Sequence, residues 1–139
     1  MNAYDFLEQI EKIDTLINNK LIEVAQWKAL AISTTSNLNP DKVQSTGSQQ
    51  KMAEAVEHYL DIEKEINECI DTLYDVKRDV LSKIEKLKAD EYDMLHKVYV
   101  QYMPVKVVAE KYDKSYSWAI KLHARAIKHL EEVLLNENT

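Results

Sequence analysis

The residues of this 139-residue chain that best suit binding chemistry are basic side chains near its carboxyl end. Between residues 106 and 130 they outnumber the acids, which are Glu110 and Asp113. The basic members are Lys106, Lys111, Lys114, Lys121, Arg125 and Lys128. This cluster suits a phosphate backbone, because a polyanion responds to charge within about a Debye length, ~10 Å, and not to the net charge of the whole chain, which is −6.

Residues that hold metals or act as nucleophiles form no recognisable motif. Glu54, His58 and Asp61 share one helical face, but a di-iron bundle needs Glu-x-x-His on two helices and further glutamates. Cys69 is the one cysteine, which excludes an intrachain disulfide or a cysteine-based zinc cluster and predicts a small buried filler. The chain has no P-loop and no zinc-protease motif. We therefore expect no enzyme and no metal or other cofactor.

The composition favours an all-α fold. One glycine and two prolines provide few of the tight turns that a sheet or barrel needs, and 30% of residues are charged. The opening run MNAYDFLEQIEKI lacks the basic and apolar segments of a secretory signal. No stretch approaches 18 consecutive apolar residues, so no membrane contact is expected. These features predict a cytoplasmic protein.

The first 88 residues are predicted to form a long, coiled-coil-like helical hairpin. One apolar stripe runs through residues 4–32 and a second through residues 51–88, with a loop at 33–50 between them. The stripes consist of Phe6, Ile10, Ile13, Ile17, Leu21, Val24 and Trp27, and of Val56, Leu60, Ile66, Ile70, Leu73, Val80, Ile84 and Leu87. Each stripe is narrow, which predicts either an antiparallel pair within the chain or a coiled coil with another chain. Because the second helix is longer than the first can cover, we expect a homodimer.

Residues 89–139 are predicted to form a second domain with three helices. Asp90 and Asp93 give an N-cap signature, Pro104 ends the first helix, and Ser115 is placed to cap the last one. A short turn at Asp113-Lys114 precedes that cap and needs a residue with an unusual φ, which Asp113 tolerates as few residues other than glycine do. The inner face of the last helix consists of Ala119, Leu122, Ala126, Leu130 and Val133. A short helix packed across a long one, with a small residue such as Ala109 at the crossing, is the helix-turn-helix arrangement.

The opposite side of the last helix is the predicted DNA-reading surface. Its first two turns place four side chains away from the core: Tyr116, Ser117, Ile120 and Lys121. Lys114, Arg125 and Lys128 flank that patch, within reach of phosphates. Trp118 fits either a place in the core or a place on this surface.

The run EYDMLHKVYVQYMPVKVVAEKYDKSYSWAIKLHARAIKHLEEVL (91–134) resembles region 4 of bacterial sigma factors, above all in HARAIKHL (123–130). It is more similar still to phage and prophage transcriptional regulators of the RinA and ArpU type, in which an acidic two-helix segment and a loop like VQSTGSQQ precede the sigma-like module. Two positions depart from the family. Tyr102 and Pro104 stand where it has Gly and Thr, which predicts a left-handed Tyr102, and Ile120 replaces an Arg.

The resemblance implies a phage or prophage regulator that binds double-stranded DNA in the cytoplasm of its bacterial host. It implies the same base-facing residues that the helical spacing selects. The alternative is an adaptor that contacts RNA polymerase or another phage protein through the helical hairpin, because region 4 of a sigma factor also binds the polymerase.

Overall fold

The computed structural model describes residues 1–36 and 46–137, and over these ranges the chain is helical and has no strand. The α-helices are α1 (Ala3–Ser36), α2 (Thr46–Ile84), α3 (Ala89–Leu95), α4 (Val105–Lys111) and α5 (Tyr116–Glu137). A π-helical segment, His96–Val100, follows α3 directly. The predicted all-α fold is confirmed.

The ends of the two long helices differ from the prediction. Residues 33–36 of the predicted loop belong to α1 and residues 46–50 belong to α2, and residues 37–45 lie outside the described residues. Apolar periodicity misses such ends, since an exposed polar turn can be helical without a stripe. At the other end α2 stops at Ile84 instead of Lys88, where Leu87 N donates to Ile84 O at 3.0 Å in a tighter turn.

The chain divides into two compact units. One contains residues 1–13 and 73–139, and the other contains residues 14–72. The division predicted between residues 88 and 89 does not coincide with these units, because the start of α1 and the end of α2 pack with the carboxyl-terminal helices. Helical periodicity reports which residues seek burial but not which distant helix covers them, so the sequence could not reveal this.

The unit of residues 14–72 is an antiparallel pair of helical segments. Lys20 Nζ lies 2.7 Å from Glu65 Oε2, and the rings of Trp27 and His58 stack with centroids 4.5 Å apart. A later residue of α1 thus contacts an earlier residue of α2, so the two segments run in opposite directions. Among the described residues of this unit the buried hydrophobic side chains are Ile17, Val24, Ala55 and Ile66.

The other unit encloses the larger core. Its main cluster joins residues from the start of α1, the end of α2, α3 and α5, and consists of Ala3, Phe6, Leu7, Ile10, Val80, Ile84, Leu95, Ala126, Ile127 and Leu130. The end of α5 is also held by charge, since Glu137 forms ion pairs with Lys83 and Lys86. In the described part of the chain, no helix combines the length and apolar character needed to cross a bilayer.

Candidate nucleic-acid interface

The connection from α3 to α4 uses an unusual backbone. After the π-helical segment, Tyr102 adopts a left-handed conformation with φ of 59°, which confirms the prediction for this residue. Pro104 then serves as the N-cap of α4, and its carbonyl accepts hydrogen bonds from Val107 N at 2.9 Å and Val108 N at 3.1 Å. A proline suits this place, because its missing N–H leaves no intrahelical bond unmade. The start of α4 is therefore fixed by residues local to it.

The turn between α4 and α5 is equally well defined. Asp113 has φ of 54°, as predicted, and Lys114 N donates to Ala109 O at 3.0 Å to close the turn. Aspartate is one of the few side chains that tolerate this conformation. Ser115 Oγ accepts a hydrogen bond from Trp118 N at 3.0 Å, so Ser115 caps α5 as predicted.

The first turns of α5 pack against α4 and α3 through small side chains. Ala109 on α4 and Ala119 on α5 are buried, and both belong to one cluster with Met94, Val108 and Leu122. Two alanines allow the helix backbones to approach closely at the crossing. The buried residues of α5 include Ala119, Leu122, Ala126 and Leu130, which confirms these four as its inner face. Val133, predicted on the same face, is half-buried.

The opposite side of α5 is open. The four predicted base-facing residues, Tyr116, Ser117, Ile120 and Lys121, are all exposed. Their side chains lie on the first two turns of a 22-residue helix whose inner face is sealed. An α-helix exposed in this way can enter a major groove, which is about 12 Å wide.

The predicted phosphate-binding lysines are exposed as well. Lys114 stands two residues before α5, with its Nζ 6.0 Å from the centroid of the Trp118 ring, and Lys128 lies about four helical turns further along. Lys106 and Lys111 on α4 are also exposed. All four cations are exposed and lie close in sequence to the first turns of α5 or on α5 itself, so they are available to a polyanion.

Arg125 differs from the lysines, because carboxylates of the same chain hold its guanidinium. Its Nε donates to Glu91 Oε2 at 2.9 Å and its Nη2 donates to Asp90 Oδ2 at 2.6 Å. These bonds, chiefly the one to Glu91, raise the pKa of Arg125. The predicted N-cap role of Asp90 is wrong: Lys88 is the extended residue before α3, and Asp90 lies in the first turn. Arg125 therefore links α3 to α5.

Glu91 is the residue of this region that sequence reasoning missed. Its side chain is 1% exposed, and Oε2 lies 2.7 Å from His129 Nδ1 as well as beside Arg125. A buried carboxylate persists when charged donors satisfy it. The sequence gives only a weak signal for this role, because an acidic residue in the first turn of a helix is usually explained by its favourable interaction with the helix dipole.

Trp118 takes an intermediate place. It is half-buried against the α4–α5 cluster, with its ring edge-on to Tyr112 at 5.6 Å. It also lines a surface groove of about 280 Å³ together with Asp90, Lys121, Leu122 and Arg125. Both interpretations of this residue therefore hold in part: the indole closes the core and reaches the surface next to Lys121.

His123 occupies a partly buried aromatic cluster and is not part of the exposed surface. Tyr99 Oη lies 2.8 Å from His123 Nε2, and the Tyr4 ring centroid is 6.1 Å from that of the imidazole. Burial lowers the pKa of His123 and raises that of Tyr99. Within the described ranges, no group of three or more His, Cys, Asp or Glu side chains is placed to hold a metal ion.

Comparisons of this chain with protein-family models, with curated proteins and with solved structures find no match.

Proposed function

We propose that this chain is a sequence-specific DNA-binding transcriptional regulator, encoded by a phage or prophage, with α5 as its recognition helix. One observation supports this more than any other: α5 has a sealed inner face and an outer face on which Tyr116, Ser117, Ile120 and Lys121 are exposed together. The phage origin, and with it the cytoplasm of a bacterial host, rests on the resemblance of residues 91–134 to the RinA and ArpU type.

In this proposal, affinity and selectivity come from different residues. Lys114 and Lys128 bind phosphates and release counterions, which makes affinity depend on salt. Lys121 donates to the major-groove edge of a guanine, and Ser117 hydrogen-bonds to a base edge. Tyr116 and Ile120 offer apolar contact to a thymine methyl group. The protein acts by binding, without catalysis and without a cofactor.

A homodimer fits the same function. Two copies would present two α5 helices to half-sites separated by about one helical turn, ~34 Å, as dimeric helix-turn-helix proteins do. The acidic remainder of the chain would repel the duplex away from α5, which favours one orientation on DNA.

Selection from random duplex DNA with the full chain tests the proposal. A selected sequence should bind much more tightly than a scrambled duplex. Its affinity should fall about 10²-fold between 50 and 200 mM salt if about four phosphates are contacted. Lys64, an exposed lysine on α2 outside the proposed surface, provides the control: Lys64→Glu should leave binding unchanged while Lys121→Glu abolishes selectivity. Failure to enrich any sequence would contradict the proposal.

The second candidate function is an adaptor that contacts RNA polymerase or another phage protein through the helical hairpin. Exposed large hydrophobic side chains on residues 14–72 favour it; they are Leu16, Leu21, Ile22, Leu30, Ile32, Leu60 and Ile70. Binding through such side chains depends little on salt, whereas binding to a duplex weakens steeply as salt rises. The salt series therefore distinguishes the two functions.

A further inference from the structure

The unit of residues 14–72 leaves apolar side chains uncovered that the sequence pattern predicts to be inside. Leu21, Leu60 and Ile70 belong to the predicted stripes, yet they are about half exposed, at 50%, 53% and 48%. A pair of helices is a single layer, and a stable core needs a second layer against it. In the described part of this unit, no second layer covers these apolar side chains.

Leu21, Ile32, Leu60 and Ile70 are exposed members of two rows with heptad spacing, one on each helix. On α1 the row has steps of four, three and four residues: Leu21, Ala25, Lys28 and Ile32. On α2 the steps are four, three, four and three: Val56, Leu60, Glu63, Asn67 and Ile70. Alternating steps of three and four mark the seam along which a helix packs against helices of a bundle. We call these nine residues the hairpin seam.

An ion pair shows that the two rows lie on the same side of the unit. Lys28 Nζ is 3.0 Å from Glu63 Oε1, and it also lies 5.3 Å from the centroid of the Tyr59 ring. Both side chains of the pair remain substantially exposed, at 50% and 41%. The seam is therefore one surface, apolar towards its ends and charged with both signs near its middle.

We propose that the hairpin seam is the dimer interface of this protein and that its occupant is the same seam of a second copy. A two-fold axis between the copies, parallel to the helices, places α1 of one copy over α2 of the other. Lys28 then faces Glu63 of the partner subunit, and the reverse pair forms by symmetry. The result is an antiparallel four-helix bundle, in which the polar Asn67 helps to fix the register.

The charges explain why a second copy fits better than an unrelated partner. A seam with one lysine and one glutamate at the same level complements itself under this symmetry, with no charge left against a like charge. The inference deepens the dimer within the proposed function. Its test contains no DNA, so it can fail while DNA binding stands, and DNA binding can fail while it stands.

Association of the full chain is measured by sedimentation equilibrium from about 1 to about 200 µM. Leu21→Glu should raise the dimer dissociation constant at least about tenfold, because it brings a charge into an apolar seam. Ile22→Glu is the matched control: Ile22 is the next residue, 55% exposed, and points about 100° away around the helix. Circular dichroism verifies that both variants retain their helices.

A charge exchange between two variants tests the symmetry itself. Lys28→Glu and Glu63→Lys each put like charges together, both within a chain and across the dimer, so each variant alone should associate about tenfold more weakly. In a one-to-one mixture the charges within each chain still repel, whereas both pairs across the heterodimer attract. The mixture should therefore recover affinity to within about threefold of the unmodified chain.

Three results would overturn the inference. The unmodified chain stays monomeric at about 200 µM; or Ile22→Glu weakens association as much as Leu21→Glu; or the mixture associates no better than either charge variant alone. If Leu21→Glu loses its helices, Ile70→Glu takes its place in the comparison, and the mixing experiment needs neither.

Discussion

Arg125 and Glu91 form the link that holds α3 against α5: Arg125 Nε donates to Glu91 Oε2 at 2.9 Å, and the carboxylate is 1% exposed. The guanidinium is half exposed, so one charge of the pair is buried and the other is at the surface. Because only one of the two charges is buried, the loss of stability depends on which residue is substituted. Losing the arginine leaves a charge inside the protein, whereas losing the glutamate leaves one in water.

Arg125→Met should lower the free energy of unfolding by more than the control below does, because the buried Glu91 carboxylate then retains only His129 as a polar side-chain partner among its described contacts. Urea unfolding measures it. Lys128→Met, at an exposed lysine on the same helix, is the control and should change stability by less than about 0.5 kcal/mol. Adding Glu91→Gln to Arg125→Met should recover part of the loss, and a fully additive double variant would count against the link.

Lys121→Ala should weaken binding to a selected duplex by about 1–3 kcal/mol and weaken binding to random DNA much less, because a base contact carries sequence information. Fluorescence anisotropy with both duplexes measures the two losses under the same salt. An equal loss on both duplexes would make Lys121 a phosphate contact only. Lys64→Ala on α2 should alter neither value.

Lys114→Ala and Lys128→Ala should each reduce affinity about equally for all sequences and make the salt dependence shallower by about one unit of slope. The check is the gradient of the logarithm of the binding constant against that of the salt concentration. A variant that loses affinity without a change in gradient does not contact a phosphate.

The stability of the folded chain should fall as the pH drops below about 6.5, the ordinary pKa of histidine, because of His123. Burial lowers the pKa of His123 in the folded chain, so the unfolded chain takes up the proton first as the pH falls. The neutral, buried His123 therefore contributes its full stability above about pH 6.5, and this contribution is lost as the pH falls towards the pKa of the folded chain. His123→Gln should make this dependence on pH shallower, because glutamine takes up no proton in this range. Urea unfolding at neutral and mildly acid pH measures the difference.

Tyr99→Phe distinguishes burial from the Tyr99 hydroxyl as the cause of the lowered pKa of His123. It removes the hydroxyl 2.8 Å from His123 Nε2 but leaves the ring that buries the imidazole. The pH dependence should persist in this variant, because burial and not the hydroxyl lowers the pKa. Identical pH dependence in the unmodified chain and in His123→Gln would contradict the assignment to His123.

Asp113→Gly should be neutral or stabilise by up to about 1 kcal/mol, and Asp113→Val should destabilise by about 1–2 kcal/mol, because φ is 54° at this position. Thermal unfolding measures both. The exposed Glu110 of α4 is the control, because its conformation is helical. There glycine should destabilise instead of stabilise, and Glu110→Gly should cost about 1 kcal/mol. Equal effects at the two positions would show that backbone strain is not what distinguishes them.

Local features of the carboxyl-terminal helices could be predicted from the sequence, since each depends on a few neighbouring residues. Ser115 as the cap of α5, left-handed Asp113 and Pro104 at the start of α4 follow from the conformational preferences of those side chains. The left-handed Tyr102 was predicted by the resemblance alone, because the family has Gly at that place. The buried face of α5 follows from helical spacing. The prediction failed for Asp90, where two acids in one turn gave no sign of which residue precedes the helix.

The sequence by itself thus determined that the chain is helical, where α4 and α5 begin, and which side of α5 is apolar. Only the tertiary structure decided what covers each apolar stripe: Phe6 and Ile84 join the core beside α5, whereas Leu60 and Ile70 stay exposed. It alone buried Glu91 and tied Arg125 to it. The reason is physical, because periodicity is set by the 3.6-residue turn of one helix, whereas burial depends on helices far away in the chain.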